Sequence, residues 1–161
     1  IRGNVPTRLQ KVPNAELDAV ILAEAGLARL GFIDKAQELG LTMTAADIED
    51  ICPAPAQGAL AIQIRSDDSV AQAAISALHD PLTAKAVETE RLLLGYFGGG
   101  CHLPLGAFGS HEGSLISLQA LVASPDGKEH FRAFAKGEKA DLVAADVHAQ
   151  LCSQGADRYL D

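Results

Sequence analysis

Residues 88–108 read ETERLLLGYFGGGCHLPLGAF, and this stretch decides how the second half of the chain is organised. A helical pattern fills its first part, three consecutive glycines (98–100) interrupt it, and an apolar strand pattern follows. Glycines are entropically costly to order, so a run of three predicts a close backbone approach or several N–H groups that point to one place. The run therefore predicts a glycine-rich connection between a helix and a strand.

Cys101 follows these glycines directly, which predicts an exposed sulfur with room beside it. Reaction would require thiolate character, and the neighbouring His102 could help to supply it. The pattern leaves open a second interpretation, in which the segment is a glycine-rich linker with an incidental cysteine. Cys52 and Cys152 have no comparable setting, so both are predicted to be packing residues.

The pattern around this connection predicts a small domain. Asp80-Pro81 is a good start for the helix that precedes the glycines. Ser124–Pro125–Asp126–Gly127 is a good turn between two strands. After the glycines the pattern predicts three strands and a closing helix: 105–110, 115–123, 130–135 and 140–151. Residues 79–161 therefore predict an α+β domain with a three-stranded antiparallel sheet flanked by helices.

The first half of the chain predicts an α/β arrangement instead. Asp18–Glu24 is an apolar run that predicts a buried strand, and Ala25–Leu30 predicts a helix that Gly31 ends. The sequence CPAPAQG at 52–58 cannot continue a regular element and predicts a crossing between structural units. ALAIQIR at 59–65 alternates with both faces mostly apolar, which predicts a strand inside a sheet.

Composition and charge exclude several classes of function. With 161 residues, 48% of them apolar, and a formal net charge of −8, the chain is typical of a globular protein and a poor ligand for nucleic acid. No apolar run approaches the roughly 20 residues that span a bilayer, so no membrane partner is expected. The three cysteines and five histidines show no disulfide framework and no zinc spacing, and a cytoplasmic location is expected.

Three arginines are candidate anion contacts. Arg2 and Arg8 lie in an N-terminal segment that carries no acid, at a predicted helix start where free N–H groups also favour anions. Arg29 lies on the helix after the first predicted strand. The planar guanidinium fork suits carboxylates, although three solvated surface arginines would give the same pattern. Gln57, in the crossing segment, is either a hinge hydrogen bonder or a polar turn residue.

Four stretches together resemble the hydroxymethylbilane synthase family, also called porphobilinogen deaminase. They are RGNVPTR at 2–8, LDAVILAEAGLARLG at 17–31, PAPAQGALAIQIR at 53–65 and ETERLLLGYFGGGCHLPLGAF at 88–108. They occur in the family's order over nearly the whole chain. Residues 34–50 and 138–161 match only loosely. His102 and Leu103 stand where many members have Gln and Val.

The resemblance implies an activity, a cofactor and a set of site residues. The family is a transferase of tetrapyrrole (haem) biosynthesis that deaminates porphobilinogen and joins four units into linear hydroxymethylbilane. The chain grows on a dipyrromethane cofactor attached by a thioether to the loop cysteine, which corresponds to Cys101. The arginine set that binds the pyrrole carboxylates would include Arg2, Arg8 and Arg29, with Gly100 and Gln57 also in the cofactor site.

The resemblance also implies an organisation in domains. Residues 1–52 would be part of a second, periplasmic-binding-protein-like α/β domain, 53–78 the segment that returns to the first domain, and 79–161 the C-terminal α+β domain. On this interpretation the chain is the C-terminal portion, and the catalytic aspartate lies in a missing N-terminal half. Its catalytic residue is therefore unknown here, and that missing half is an expected partner, with porphobilinogen and the growing pyrrole chain.

The strand predicted at 59–65 would lose its neighbours in such a portion. We therefore expect a second chain beside it, or an oligomeric, swapped or poorly ordered state. Two other functions stay open. A non-catalytic anion-binding α/β module would bind carboxylates without needing Cys101. A purely structural domain would bind no ligand.

Overall fold

The computed structural model of the chain describes residues 1–100 and 102–159. The chain divides into two compact units, Ile1–Asp47 and Ile48–Asp161. The predicted organisation, with boundaries after residues 52 and 78, stays a prediction. Within the described ranges, no helix is both long and apolar enough to cross a membrane.

The first unit contains two short helices, α1 (Val5–Gln10) and α2 (Glu24–Arg29). Asn4 caps α1, because its side-chain oxygen accepts a hydrogen bond from the Thr7 N–H at 3.0 Å. Gly31 follows α2 with a φ of +68°, a left-handed conformation that glycine adopts without a Cβ penalty. The predicted helix and its glycine stop are therefore confirmed.

The two buried strands predicted in the first half of the chain are wrong. Residues 18–23 and 59–65 form no strand, and none of their apolar side chains is fully buried: Val20, Leu22 and Ile64 are half-buried, while Ile21 is 73% and Leu60 is 91% exposed. An apolar strand is buried only when neighbouring strands and a covering layer are present. Within residues 1–100 and 102–159 the one sheet is built from residues 105–137, so these segments have neither. The periplasmic-binding-protein-like arrangement is accordingly not confirmed.

The second unit contains three helices. They are α3 (Ser69–Ile75), α4 (Pro81–Tyr96) and α5 (Ala140–Ser153), with 3-10 turns at Ser76–Leu78 and Ala156–Tyr159. α4 starts where the sequence predicts, because the Asp80 carboxylate accepts hydrogen bonds from the Leu82 and Thr83 N–H groups at 3.0 and 2.9 Å. These hydrogen bonds, that from Thr83 above all, lower the pKa of Asp80.

An antiparallel sheet of three strands completes the second unit. The strands are β1 (Leu105–Glu112), β2 (Leu115–Ala123) and β3 (His130–Gly137), in the order β1-β2-β3. The predicted α–β–β–β–α order of this α+β domain is thus confirmed. α4 and α5 cover one face of the sheet, and the helices and strands enclose a core: Leu93, Leu118, Val122, Val143, Val147 and Leu151. The glycine-rich connection starts at the end of α4 and leads into β1, and both elements contribute to this core.

The outer edge of β3 is covered by side chains of α5 instead of a fourth strand. Gln150 accepts a hydrogen bond from the Phe134 N–H at 3.4 Å and donates one to the Phe134 carbonyl at 3.0 Å. Gln154 donates to the Arg132 carbonyl at 2.9 Å. Unpaired edge groups are a template for association between chains, so these glutamines block a pairing site.

Replacing Gln150 tests this role. We expect Gln150→Ala to lower the free energy of unfolding by about 1 kcal/mol and to increase self-association, because both backbone groups of Phe134 lose their partners. Size-exclusion chromatography over a concentration series and urea unfolding measure the two effects. Gln72→Ala, at an exposed position of α3, is the matched control. Elution and stability equal to those of the unchanged protein would contradict the assignment.

Candidate functional site

The glycine run ends α4 in a specific backbone motif. Gly98 and Gly99 have φ values of +82° and +71°, and Gly100 has +129°. The Gly99 N–H donates to the Leu94 carbonyl and the Gly98 N–H to the Gly95 carbonyl, each at 3.0 Å. These are the two hydrogen bonds of a Schellman motif, which stops a helix sharply. The positive φ angles explain why glycines stand here.

The space around the glycine run is open. A Cβ placed on Gly98, Gly99 or Gly100 would meet nothing within 4 Å in the described part of the chain. No described residue therefore approaches the backbone of this run closely. The open space agrees with the expectation that there is room beside the loop. Cys101 itself lies outside the described residues, so its exposure stays a prediction.

The chain is anchored again immediately after the loop. His102 is exposed, whereas Leu103 packs against the core and Leu105, the first residue of β1, is 6% exposed. The loop thus has one end fixed by α4 and the other by β1.

The other two cysteines are poor nucleophiles. Burial raises the pKa of the Cys52 thiol, an effect that Arg132 opposes and Glu90 reinforces. Burial, followed by the charge of Asp157, raises the pKa of Cys152. Because the thiolate is the reactive form, both are less reactive than an ordinary cysteine at neutral pH. This agrees with the prediction that they are packing residues.

The crossing segment lies against the first strand of the sheet. The Ala107 N–H donates to the Pro53 carbonyl at 2.8 Å. A Cβ on Gly106 would come within 2.9 Å of the Cys52 carbonyl oxygen, so only glycine allows this approach. The segment predicted to be a crossing is therefore hydrogen-bonded to β1 and packed against it.

Glu90 joins three elements and was not singled out from the sequence. It is 6% exposed on α4, and its carboxylate accepts hydrogen bonds from the Ala56 N–H at 2.6 Å and from the Gly109 N–H at 2.7 Å. A signal was present in the sequence, since Glu90 stands one turn before the apolar Leu93 and two turns before Phe97. A carboxylate on an apolar helix face needs buried donors.

Gln57 lies in the turn that follows Ala56. Its backbone N–H donates to the Ala54 carbonyl at 3.0 Å, and its side chain is exposed. This geometry fits a residue that is free to reach a ligand. Its place in the cofactor site stays a prediction.

The predicted arginines are carried by the first unit. The Arg8 Nε donates to the Gly3 carbonyl at 2.7 Å, while Arg2 and Arg29 are exposed. None of the three forms an ion pair with a described residue. The two helices that carry Arg8 and Arg29 touch, since a Cβ on Gly26 would lie 4.0 Å from Val5.

The start of α1 contributes less to anion binding than the sequence predicts. Asn4 already accepts the Thr7 N–H, and Pro6 has no N–H to offer. An anion at this end would therefore rely mainly on the guanidinium groups. Among the described residues, no group of three or more histidine, cysteine or acidic side chains could hold a metal ion.

Two family models match the chain. The model described as porphobilinogen deaminase, dipyromethane cofactor binding domain, matches residues 1–73, and the model described as porphobilinogen deaminase, C-terminal domain, matches residues 84–152. The chain belongs to the porphobilinogen deaminase family. The resemblance stated from its motifs is confirmed at the level of the family, and so is dipyrromethane as the cofactor.

Individual relatives agree with this membership. Porphobilinogen deaminase of Geobacillus kaustophilus is 40% identical over all of this chain and 50% of its own length. That of Thiobacillus denitrificans is 39% identical over all of the chain and 51% of its length, and that of Geotalea uraniireducens is 42% identical over 99% and 49%. The chain thus spans about half the length of the curated relatives that it matches.

The matches correct one expectation about organisation. The matches do not support the expectation that this chain is the C-terminal portion of the family's protein, because residues 1–73 match the cofactor-binding-domain model and residues 84–152 the C-terminal-domain model. The expectation that a catalytic N-terminal half is missing is not supported by these matches. The cytoplasmic location and the individual site residues stay predictions.

Proposed function

We propose that this chain carries the cofactor attachment site of a porphobilinogen deaminase and takes part in condensing porphobilinogen into a linear tetrapyrrole. The observation that carries the proposal is the loop between α4 and β1. This loop begins with three left-handed glycines beside open space, and they lead directly to Cys101, in a chain whose residues 1–73 match the dipyromethane cofactor binding domain.

The chemistry of attachment suits a cysteine. Loss of ammonia from the aminomethyl group of porphobilinogen breaks a C–N bond and leaves an electrophilic methylene carbon. The protonated amine leaves as ammonia with the electron pair of the broken C–N bond, and the Cys101 thiolate adds to the cationic methylene carbon, so a C–S bond forms. No described residue lies within 4 Å of a Cβ placed on Gly98, Gly99 or Gly100, so the loop has free space beside it. When bound, dipyrromethane supplies the pyrrole terminus that is extended.

The arginines have a matching role in this proposal. Each pyrrole carries an acetate and a propionate, so the growing chain gains negative charge, which an acidic protein with a net charge of −8 would otherwise repel. Arg2, Arg8 and Arg29 supply guanidinium groups that no described acid neutralises. We propose that they hold these carboxylates.

Substituting the arginines tests this role. We expect Arg2→Ala, Arg8→Ala and Arg29→Ala each to weaken binding of a dipyrromethane that bears acetate and propionate groups by roughly 3- to 30-fold. Arg8→Lys keeps the positive charge but loses the planar guanidinium group, so its loss of affinity should be smaller than that of Arg8→Ala. Calorimetric titration measures the affinities. Arg65→Ala is the control, because Arg65 is already paired with Asp68 at 2.6 Å. Unchanged affinity in all three alanine variants would contradict the assignment.

Turnover tests the whole proposal. Porphobilinogen consumption and tetrapyrrole formation are measured with the chain alone and after addition of a polypeptide that carries the part of the Geobacillus kaustophilus relative that this chain does not cover. Tetrapyrrole formation in either mixture, lost in Cys101→Ser, supports the proposal. Carboxylate binding that Cys101→Ser leaves intact, with no turnover in either mixture, would instead support the non-catalytic anion-binding module.

A further inference from the structure

Glu90 contacts both elements that flank the Cys101 loop, α4 and β1, and also the crossing segment. It lies on α4, which leads into the loop, and its carboxylate accepts the N–H of Gly109 in β1, the strand that leaves the loop. The other oxygen accepts the N–H of Ala56 in the crossing segment. One side chain therefore fixes three separate stretches of backbone to each other.

The surroundings make this contact selective for a carboxylate. Each oxygen of Glu90 faces a backbone N–H donor, at 2.7 and 2.6 Å, so both sites require an acceptor. An amide at this position would turn an NH₂ group toward one of the donors and leave that donor unpaired. A buried unpaired donor is costly, so the arrangement favours a carboxylate over an amide.

The backbones of α4 and β1 pack closely beside the Glu90 hydrogen bonds. A Cβ on Gly109 would lie 2.8 Å from the Ala86 carbonyl oxygen, so β1 touches α4 without an intervening side chain. Here the strand and the helix can separate or slide only if the Glu90 hydrogen bonds break. Ala56 has a φ of +63°, a conformation disfavoured for a residue with a side chain, and the bond to Glu90 helps to hold it.

We propose that Glu90 is a positioning residue for the Cys101 attachment loop. It sets the relative position of α4, β1 and the crossing segment, and thereby the distance between the loop and the turn that carries Gln57. It touches neither substrate nor cofactor and acts through the backbone. The inference rests on the proposed function for its purpose, whereas the coupling of the three backbone segments stands independently.

Amide hydrogen exchange of Glu90→Gln tests the coupling without any cofactor. The amides of Ala56 and Gly109 should exchange at least about tenfold faster, while that of Leu118 in the centre of β2 should change much less. Glu88→Gln, at an exposed position two residues earlier on the same helix, is the control and should change none of them. Equal acceleration of all three amides, or no acceleration at Ala56, would overturn the proposal, because Glu90 would then be only a stability determinant or no link at all.

Alkylation of Cys101 by iodoacetamide tests the positioning. Under native conditions, the rate at Cys101 should change at least about threefold in Glu90→Gln relative to Glu88→Gln, while the rate at Cys152 stays the same. An unchanged Cys101 rate would overturn the positioning role. A failure of the proposed function would look different, since Cys101 would take up no pyrrole even with Glu90 in place.

Discussion

Cys101→Ser should abolish covalent attachment of pyrrole units completely. A serine hydroxyl is not appreciably ionised at neutral pH and is a harder nucleophile than a thiolate, so it would not capture a methylene-pyrrole carbon under mild conditions. The other two thiols would not substitute for it, because burial raises the pKa of both Cys52 and Cys152. We therefore expect an all-or-none effect, with no residual adduct elsewhere.

The matched control is Cys152→Ser, which removes a thiol and leaves the loop intact. Its chain should acquire the adduct to the same extent as the unchanged protein. The measurement is colour formation with p-dimethylaminobenzaldehyde on the denatured, desalted chain, which reports pyrrole that stays bound when non-covalent ligands are removed. Colour retained by Cys101→Ser, or lost in Cys152→Ser, would refute the assignment.

Gly109→Ala should cause a large loss of stability although it adds only one methyl group. The added Cβ would lie 2.8 Å from the Ala86 carbonyl oxygen and 3.2 Å from the Ala86 Cα, both of which are backbone atoms of α4. Backbone cannot rotate away as a flexible side chain can, so β1 and α4 must separate. The shift would also lengthen the 2.7 Å hydrogen bond from the Gly109 N–H to Glu90. We expect a loss of about 2–4 kcal/mol in the free energy of unfolding.

Gly95→Ala is the control for this substitution. Gly95 lies inside α4, and a Cβ there would meet nothing within 4 Å, so the change should stabilise the protein by up to about 1 kcal/mol through helix propensity. Urea unfolding followed by circular dichroism measures both variants. A Gly109→Ala protein as stable as the unchanged one would show that the strand and helix are not in the contact described.

Sequence patterns predict the α+β domain well because its elements are determined locally. The Asp80-Pro81 start of α4, the turn at 124–127 and the alternation of β2 each use neighbours within a few residues. The segments at 18–24 and 59–65 show the opposite case. Their apolar patterns are those of sheet strands, but a strand is completed by hydrogen-bond partners that the described residues do not offer.

The candidate site shows the same division between local and long-range information. The glycine run and Cys101 stand out in the sequence because three glycines in a row are locally unusual. The sequence marks Glu90 only by its place on the apolar face of α4, because its partners, Ala56 and Gly109, lie 34 and 19 residues away and contribute only backbone N–H groups. Backbone donors have no residue-type signature, so only the folded structure identifies which groups Glu90 contacts.

The position of the adduct in the unchanged chain tests most directly whether Cys101 is the residue that holds the pyrrole units. Trypsin would place each cysteine in its own peptide: residues 36–65, 92–128 and 140–158. After incubation with porphobilinogen, with and without the remaining part of the Geobacillus kaustophilus relative, mass spectrometry should find two added pyrrole units on peptide 92–128 alone, at Cys101. A chain that stays unmodified in both mixtures, or that carries the pyrrole units on either other peptide, would contradict the account.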